Sequence, residues 1–542
     1  MNKILSICIL ILVLRFSCVV QAQTNIPYLS KKETATQLMV HNQPFLIRGG
    51  ELGNSSASSL AYLNQIWPTL EQMNLNTLLV PVYWELLEPI DGTFDFSLVD
   101  SLIIQSRKRD MKLILLWFGS WKNSMSCYVP GWVKTDPQRF PRALNKNGQA
   151  VEILSPFCTN NLEADKKAFT RLMQHLKKID SKENTVIMVQ VENEIGMLPD
   201  ARDYSAEANK QYKQQVPSNL LNYLKKNQKQ LLPEFRQHWE ASGKKMQGTW
   251  AEVFGDSTAG EEVFMAWHFA QFTEELTKAG KSVYPLPMFI NAALNRVGYA
   301  PGEYPSAGPL PHLLDVWWAG APSIDILTPD IYFPNFEHWC RLYQRGGNPL
   351  FIPEARFEPS VGAKMFYAMG NHDAMGFSPF SIESTDNPGK ESIVKSYDLI
   401  KQLSPLIISH QGTGQMAGFR LTKEHTADTL VLGGFQLTIK HDYTLGWSPD
   451  ASNTTWPDTG GIIICTAPGE YWVAGSGLVI TFGLPENKPG SAGIYRIDEG
   501  TFTSDFVWQP KRLLNGDQSH QGRHLRIPVH EYGIQKLILY TY

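Results

Sequence analysis

The sequence has few of the features that mark metal-binding, nucleotide-binding or disulfide-stabilised proteins. It contains six cysteines in 542 residues, with no CxxC pair and no Cys/His spacing typical of a metal site. The GxSxG motif of serine hydrolases, the HExxH motif of zinc proteases and the Walker A loop are also missing. The sequence therefore predicts no metal and no cofactor, and it argues against a serine hydrolase or an NTPase.

Charge of one sign is not in excess either. The formal net charge is −3 and the chain has no long basic run, so nucleic acid and anionic membrane surfaces are poor candidate partners. Aromatic residues, in contrast, are abundant, with 15 Trp and 20 Tyr. Flat aromatic faces suit a carbohydrate partner, although large domains bury many aromatic rings for packing alone.

Long apolar runs are confined to the N-terminus. Lys3 precedes an apolar run over residues 4–14, and Val20-Gln21-Ala22 resembles a signal-peptidase site. We expect residues 1–22 to be a signal peptide cleaved after Ala22, which predicts export to the periplasm or surface of a bacterial cell. Lipid attachment at Cys18 is an alternative, but the preceding residues form a poor lipobox. No other segment is long and apolar enough to cross a membrane.

Four cysteines would remain after signal cleavage. They are Cys127, Cys158, Cys340 and Cys465. Export would permit a disulfide, and Cys127–Cys158 is the first pair to test. Free buried thiols are an equally good interpretation, because four scattered cysteines in a long chain do not form a disulfide scaffold.

Short β-rich runs alternate with longer amphipathic runs over roughly the first 400 residues, which is typical of an α/β fold. Eight candidate strands fit a closed (β/α)8 TIM barrel over residues 23–404. The strands are predicted at 45–49, 77–83, 112–118, 186–191, 287–292, 326–331, 350–353 and 375–379. The stretch at about 198–285 is too long for one crossover helix, so it predicts a helical insertion after strand four.

The pattern changes after Ser404-Pro405. Short alternating runs separated by Gly, Pro and Asp predict a C-terminal antiparallel β-sandwich domain over residues 405–542. No low-complexity linker separates the two parts, so we expect them to pack together. A sugar-binding role for the sandwich is possible in principle, but we favour structural support.

Two carboxylates stand where a TIM barrel binds its substrate, at the C-terminal ends of strands. Glu194 follows the predicted fourth strand, and Glu354 ends the seventh. Simpler interpretations exist for each: Glu192 and Glu194 could be ion-pair partners, and Glu354 could pair with Arg356 at the surface. Glu358 is a nearby rival for the second position.

Two such carboxylates suffice for glycoside cleavage. One protonates the departing oxygen while the other attacks the anomeric carbon, and configuration is retained when the carboxyl groups are about 5–5.5 Å apart. Strict strand alternation would place Glu192 and Glu194 on one side and Asn193 on the other. The end of strand four must therefore be distorted if Asn193 and Glu194 are both to face a sugar.

Residues 191–196 read Val-Glu-Asn-Glu-Ile-Gly and resemble the acid/base signature of the glycoside hydrolase family 35 β-galactosidases. These enzymes belong to the clan of (β/α)8 glycosidases with catalytic residues on strands four and seven. The resemblance implies that Glu194 is the acid/base and Glu354 the nucleophile. It also implies that Asn193 contacts the sugar 2-hydroxyl and that Tyr332 hydrogen-bonds the nucleophile.

Other segments resemble the same family with departures. Residues 82–89 are similar to its strand-two motif, but Glu85 replaces an expected Asn and Leu87 an expected His. The first strand also differs, at Glu51. Trp121 has an equally good interpretation as a core residue. The candidate sugar contacts are Trp84, Glu85, Glu51, Trp121 and Asn123, together with Asn193 and Tyr332.

The resemblance implies a retaining exo-β-galactosidase that removes terminal galactose from plant cell-wall carbohydrate such as xyloglucan. Another retaining member of the clan, such as a β-glucosidase, β-xylosidase or endo-mannanase, is the alternative. A carbohydrate-binding barrel without catalysis is a further alternative, which the presence of both carboxylates disfavours.

Overall fold

The computed structural model describes residues 26–486 and 488–542. The predicted signal peptide and Cys18 lie outside these residues. Within the described part of the chain, none of the helices combines the length and the apolar character needed to span a bilayer.

Eight parallel strands close into a barrel, which confirms the predicted TIM-barrel fold. Each predicted strand is present, with bounds that shift by at most two residues. In barrel order from one to eight, the strands are Ile47–Glu51, Thr77–Tyr83, Lys112–Phe118, Val186–Gln190, Met288–Ala293, Ile326–Ile331, Ile352–Ala355 and Gly376–Pro379.

The barrel closes where strand eight pairs with strand one. Gly376 pairs with Ile47, and a Cβ on Gly376 would lie 2.5 Å from the Ile47 side chain. A Cβ on Gly49 would similarly lie 2.1 Å from the Ser378 hydroxyl. Glycine at both positions therefore allows the first and last strands to approach closely enough to close the barrel.

Helices surround the barrel. Thr159–Asp180 shows why: Phe169, Leu172, Met173 and Leu176 recur at helical spacing and are all buried against the barrel side. The surrounding helices are Leu60–Leu70, Trp84–Leu87, Ser97–Arg107, Gly131–Lys134, Thr159–Asp180, Leu314–Gly320, Phe336–Tyr343, Val361–His372 and Ser392–His410.

The segment between strands four and five is helical, as expected for the insertion. Its helices are Ala206–Tyr212, Ser218–Asn227, Pro233–Ala241, Trp250–Phe254 and Thr258–Val283. Gly280 on the last helix sits where a Cβ would lie 2.6 Å from the Phe169 ring. This long helix thereby packs closely against Thr159–Asp180 and provides the crossover to strand five.

Two small antiparallel sheets were not predicted. Three strands, Tyr28–Lys32, Ala35–Val40 and Gln43–Phe45, precede the barrel, and Arg142–Leu144 pairs with Ala150–Leu154. The first sheet caps the end of the last barrel helix, because Lys32 Nζ and Gln37 Nε2 both donate to the Ile408 carbonyl at 2.7 and 2.8 Å.

The expected change of structure at residues 404–405 falls inside a helix. Helix Ser392–His410 continues through Pro405, and Leu403 and Ile407 on either side of the proline are buried. The apolar face maintains the helix even though Pro405 supplies no N–H to its ladder. The first sandwich strand begins only at Met416.

The C-terminal part contains two antiparallel sheets, as predicted. The six-stranded sheet has the order Met416–Leu421, Thr459–Ala467, Glu470–Ser476, Gly533–Thr541, Ala492–Phe502 and Trp508–Leu513. The four-stranded sheet has the order Ala427–Leu432, Phe435–His441, Leu478–Gly483 and Leu525–Ile527.

Strand alternation makes the six-stranded sheet an internal layer. Ile463 and Val473 pack in the sandwich core with Leu437 of the other sheet, whereas Ile462 and Ile464 join the large core of the barrel. Successive side chains of one strand therefore stabilise two cores. This packing agrees with a sandwich that supports the barrel.

All four described cysteines are free thiols. Cys127 is exposed, Cys158 is partly buried, and Cys340 and Cys465 are buried. The pairing of Cys127 with Cys158 is therefore not formed in this structure.

Helix Val361–His372 and the first sandwich strand meet through a pair of glycines. A Cβ on Gly418 would lie 2.1 Å from the Phe366 carbonyl oxygen, and a Cβ on Gly370 would lie 2.6 Å from the Gly418 Cα. Both obstacles are backbone atoms, which cannot move independently of their helix or strand. The absence of side chains at these two positions sets the distance between barrel and sandwich.

Gly418→Ala should therefore destabilise the protein by about 1–3 kcal/mol through overpacking, measured as a lowered thermal midpoint. Gly483→Ala is the matched control on a sandwich strand, since a Cβ there meets nothing within 4 Å; its effect should stay within about 0.5 kcal/mol. Equal midpoints for the two variants would contradict the interface described here.

Candidate active site

Four carboxyl groups meet at the C-terminal mouth of the barrel. Glu51 ends strand one, Glu194 follows strand four, Asp330 lies on strand six and Glu354 on strand seven. One carboxylate oxygen from each of Glu194, Asp330 and Glu354 lies within 4.8 Å of the others. The two predicted catalytic groups, far apart in sequence, are thus brought to one point.

These carboxyl groups are withdrawn from solvent. Residue exposure is 1% for Glu51, 5% for Glu194, 2% for Asp330 and 4% for Glu354. Like charges this close and this buried cannot all be ionised at neutral pH, so some of the groups must hold protons.

The end of strand four is distorted in the way that the sequence required. Glu192 and Glu194 adopt left-handed φ angles of 60° and 45°, and regular strand hydrogen bonding ends at Gln190. The Glu194 amide donates to Asn291 Oδ1 at 2.9 Å, and Asn291 Nδ2 donates to Asp330 Oδ2 at 2.6 Å. Strands five and six thereby help to fix the turn that carries Glu194.

Glu192 faces away from the cluster of four carboxyl groups. Its carboxylate accepts a hydrogen bond from the Trp121 amide at 2.8 Å, and burial, followed by the nearby Asp165 carboxyl, raises the pKa of Glu192 well above its usual range. Asp165 also accepts from the Trp117 indole at 2.8 Å and the Ser120 amide at 2.9 Å. This buried network joins the ends of strands three and four to helix Thr159–Asp180.

Glu354 has the environment expected of a reactive carboxylate. The Tyr332 hydroxyl donates to Glu354 Oε1, as the resemblance implied. Burial, followed by the nearby Glu194 carboxylate, raises the pKa of Glu354 to about 7, while Lys122 and Tyr332 act in the opposite direction. Glu354 therefore titrates close to neutral pH.

Glu51 and Asp330 have pKa values raised well above the usual range of a carboxyl group. Burial, and then the Glu354 carboxylate, hold the pKa of Glu51 well above its usual range, although Lys122 opposes this shift. Burial, and then Glu354 and Glu194, do the same to the pKa of Asp330. Burial and neighbouring negative charge therefore both disfavour the ionised forms of Glu51 and Asp330.

Asn193 is available for a ligand. It is fully buried, and both polar atoms of its side-chain amide lack a hydrogen-bond partner in the structure. The backbone N–H of Asn193 donates to the Trp121 carbonyl oxygen at 3.2 Å, which holds the backbone in place. An unsatisfied buried amide is costly, so its retention fits a group that awaits a substrate hydroxyl.

Several predicted sugar contacts are not brought to the carboxyl cluster. The Trp84 indole is buried and donates to Glu88 at 3.0 Å, and Glu85 forms an ion pair with Lys134 at 3.1 Å. The Trp121 ring is fully buried edge-on against Phe269 and Phe272, which matches its interpretation as a core residue.

Two other positions named from the sequence, Asn123 and Glu358, are exposed or partly exposed. Asn123 is exposed in the loop after strand three, with a left-handed φ of 51°. Glu358 is partly exposed and forms an ion pair with Lys364. Glu354 and not Glu358 is therefore the carboxyl of this segment that reaches the cluster.

Sequence reasoning missed Asp330 and Asn291 and did not single out Lys122 from its neighbours. Asp330 and Asn291 each interrupt an apolar run that reads as an ordinary buried strand. A charged or amide side chain inside such a run was the available signal. Lys122 is 4% exposed, and its charge faces Glu51 and Glu354.

The three clustered oxygens of Glu194, Asp330 and Glu354 have a spacing that could surround one hard cation. The raised pKa values of Asp330 and Glu51 disfavour the same negative charge. The chemistry open to the site, proton transfer and nucleophilic attack by carboxyl groups, requires no metal.

Two family models match the chain. Residues 61–252 match a model described as "Beta-galactosidase", which is that of glycoside hydrolase family 42. The matched segment includes strands two to four and Glu194. Residues 393–526 match a model described as a domain of unknown function, DUF5597.

The β-galactosidase model matches part of the barrel, from the helix after strand one to the insertion after strand four. The match is to family 42, so the expected membership of family 35 is not supported, while the wider resemblance to β-galactosidases of the same clan stands. A search of curated protein sequences gives no match.

Solved structures of glycoside hydrolases are similar to this chain at low identity. The β-galactosidase of Bacillus circulans sp. alkalophilus is 14% identical with a TM-score of 0.46, over 67% of this chain and 57% of that one. The β-galactosidase of the psychrophilic Marinomonas ef1 is 12% identical with a TM-score of 0.45, over 66% and 60%. The β-mannanase of the blue mussel Mytilus edulis is 13% identical with a TM-score of 0.40, over 69% and 96%.

The matched part of the chain thus spans less than two thirds of the length of these two β-galactosidases. The fold assignment follows from the closed eight-stranded barrel itself.

The raised pKa of Glu354 has a consequence for stability. A carboxyl group whose pKa is higher in the folded than in the unfolded chain contributes stability below about pH 4.5, which is lost as the pH rises toward 7. Glu354→Gln should therefore increase the free energy of unfolding at pH 8 by up to about 3 kcal/mol. This gain would be measured as a higher thermal midpoint. The gain should shrink as the pH falls to 5.

Glu358→Gln is the matched control. Burial opposes the shift, but hydrogen bonds from Lys364 and Ser360 lower the pKa of Glu358, so removing its charge should cost stability at pH 8. A loss of stability in Glu354→Gln that is equal at pH 5 and pH 8 would refute the proposed titration.

Proposed function

We propose that the protein is a retaining exo-β-galactosidase that removes terminal β-linked galactose from plant cell-wall carbohydrate such as xyloglucan. The observation that carries the proposal is the convergence of Glu194 and Glu354, with carboxylate oxygens within 4.8 Å. That spacing favours direct attack, since inverting enzymes hold their carboxyl groups about 6.5–9.5 Å apart to admit a water. The family 42 match supports galactose as the sugar.

In the first step, Glu354 attacks the anomeric carbon as the glycosidic bond breaks. Glu194 gives its proton to the departing oxygen, and the sugar becomes an ester of Glu354. Tyr332 holds the attacking carboxylate, and Asn193 offers its unpartnered amide to the neighbouring sugar hydroxyl.

In the second step, Glu194 acts as a base. It takes a proton from a water that attacks the anomeric carbon, and the bond to Glu354 breaks with its electron pair returning to that carboxylate. Two inversions at the same carbon restore the original β configuration.

The depth of the site favours a terminal sugar. Glu194 and Glu354 are almost fully buried, whereas an enzyme that cuts within a polysaccharide needs an open groove through which the chain can pass. Carboxyl groups this deeply buried are more easily reached by a chain end than by the middle of a chain, which supports exo action over an endo-mannanase.

Export of the enzyme belongs to the same proposal. A polysaccharide substrate lies outside the cell, and residues 1–22 have the pattern of a signal peptide. Periplasmic or cell-surface location would place the enzyme beside such a substrate.

The wild-type protein should hydrolyse p-nitrophenyl β-D-galactoside, and Glu354→Gln should reduce kcat by about 10³-fold or more because the amide cannot attack. NMR of the released sugar should show the β anomer first. Glu358→Gln, which alters a carboxyl outside the cluster, should keep kcat within about threefold.

An α anomer as the first product would contradict retention. Faster cleavage of the β-glucoside, β-xyloside or β-mannoside than of the β-galactoside would identify that sugar, and not galactose, as the preferred one. If Glu354→Gln retained wild-type turnover, the assignment of Glu354 as the nucleophile would be wrong.

A further inference from the structure

A cavity lies between the barrel and the sandwich, outside the cluster of carboxyl groups. Its volume is about 560 Å³, which is within the range of small-molecule binding sites. Helices Phe336–Tyr343 and Val361–His372 form the barrel wall, and strands Met416–Leu421 and Ala427–Leu432, with the turn between them, form the sandwich wall. Neither part of the chain encloses this space alone.

Two contacts fix the distance between the walls of the cavity. Gly418 packs directly against helix Val361–His372, where a Cβ would lie 2.1 Å from a backbone oxygen of that helix. Arg420 donates to Glu337 Oε1 on the barrel wall and to Asp458 Oδ2 of the sandwich, both at 2.8 Å. The cavity is therefore already formed in the folded protein, and a ligand can enter it without a movement of the sandwich.

The charges of the lining are balanced. Glu337 and Asp428 are its acidic side chains, and Arg341 and Arg420 are its basic ones. The ring of His425 places Nε2 at 2.9 Å from Asp428 Oδ1, within the lining itself. A site that binds an ion carries an excess of the opposite charge. The balance here favours an uncharged ligand.

The rest of the lining suits a ligand rich in hydroxyl groups. Asn335 and Asn371 are exposed on the rim, and their side-chain amides can both donate and accept hydrogen bonds, as sugar hydroxyls do. The partly buried Tyr367 ring is held edge-on to Phe336 and tilted against His372. A fixed aromatic ring can pack against the C–H face of a pyranose ring. These features together favour a carbohydrate.

The cavity begins close to the proposed catalytic groups. Asn335 follows Tyr332, the residue that donates to Glu354, by three positions, and three residues span at most about 11 Å. Helix Phe336–Tyr343 follows strand six, so its first turn lies on the mouth side of the barrel. A carbohydrate whose terminal unit enters the mouth therefore has the cavity within its reach.

We propose that this cavity is a second carbohydrate-binding site, which holds uncharged sugar units of the polysaccharide beyond the galactose that is removed. The inference rests on the proposed function and deepens it, because the sandwich then binds substrate as well as supporting the barrel. No bond is made or broken at the cavity. Its occupation lowers the KM for a polysaccharide, whereas a small aryl galactoside does not extend to it.

Asn371→Trp should fill the cavity from its exposed rim. In the inactive Glu354→Gln background, isothermal titration calorimetry with a galactosylated xyloglucan oligosaccharide should show a Kd raised by about fivefold or more. In the active enzyme, the KM for xyloglucan should rise by a similar factor. The kcat and KM for p-nitrophenyl β-D-galactoside should both stay within about twofold of wild type.

Asn222→Trp is the matched control. Asn222 is also an exposed asparagine on a helix, Ser218–Asn227, and it lines a cavity of about 460 Å³ on the insertion. Its Kd and KM should be those of the background protein. Tyr367→Ala changes the proposed site in the opposite way, by removing a ring instead of adding one, and should also weaken oligosaccharide binding. Loss of binding in both cavity variants is then not explained by overpacking.

No binding of the oligosaccharide by Glu354→Gln, or the same Kd in the Asn371→Trp and Asn222→Trp variants, would overturn the proposal. An equal rise in KM for the aryl galactoside would also contradict it, since the effect would then lie at the catalytic mouth.

The two readouts separate this inference from the proposed function. If the wild type cleaves neither substrate while Asn371→Trp weakens oligosaccharide binding, the glycosidase proposal fails and the second site stands. If the wild type is active and Asn371→Trp leaves Kd unchanged, only the second site fails.

Discussion

Mutual repulsion of four buried carboxyl groups is the constraint on which the rest of the site depends. Glu51, Glu194, Asp330 and Glu354 share a space closed almost completely to water, with Lys122 as a buried cation that faces Glu51 and Glu354. Such a cluster is tolerable only if protons are distributed unevenly. Its asymmetry, with Tyr332 donating to Glu354 and the pKa values of Glu51 and Asp330 raised well above their usual range, sets Glu354 apart from its acidic neighbours.

Bringing these carboxyl groups together requires an irregular end to strand four. Parallel strands bring their C-terminal ends to one mouth, but strand four must break its alternation to present Asn193 and Glu194 together. The left-handed φ angles at Glu192 and Glu194 carry that strain. Glu192, Asp165 and Asn291 hold the distorted segment from behind through buried hydrogen bonds. The sandwich stabilises the barrel from outside, since Ile462 and Ile464 pack into its core.

Much of this arrangement was predictable from sequence. Periodicity located all eight barrel strands within two residues, and carboxylates at strand ends identified Glu194 and Glu354. Local patterns are sufficient for such features, because burial and alternation act along short stretches of chain. The helix through Pro405 was misjudged because its buried face outweighs the effect of one proline.

Long-range contacts set the limit of prediction. The electrostatic influence of Glu354 on Glu51 links strands seven and one, and nothing near either residue in the sequence indicates it. Asp330 was hidden inside an apparently ordinary strand. Trp84 and Glu85 were inferred from a family motif, whose departures in this chain already placed the galactose contacts in doubt. The resemblance to family 35 rested on a few short motifs, and the match over residues 61–252 is to family 42 instead.

The central claim is that Glu354 forms the covalent intermediate, and trapping that intermediate is the most direct measurement. A 2-deoxy-2-fluoro-β-galactosyl substrate with a good leaving group slows the second step, so the sugar should accumulate on the enzyme. Mass spectrometry of a proteolytic digest should locate one fluorosugar on Glu354. A label on Glu194, Glu358 or another residue, or complete turnover without any label, would contradict the account.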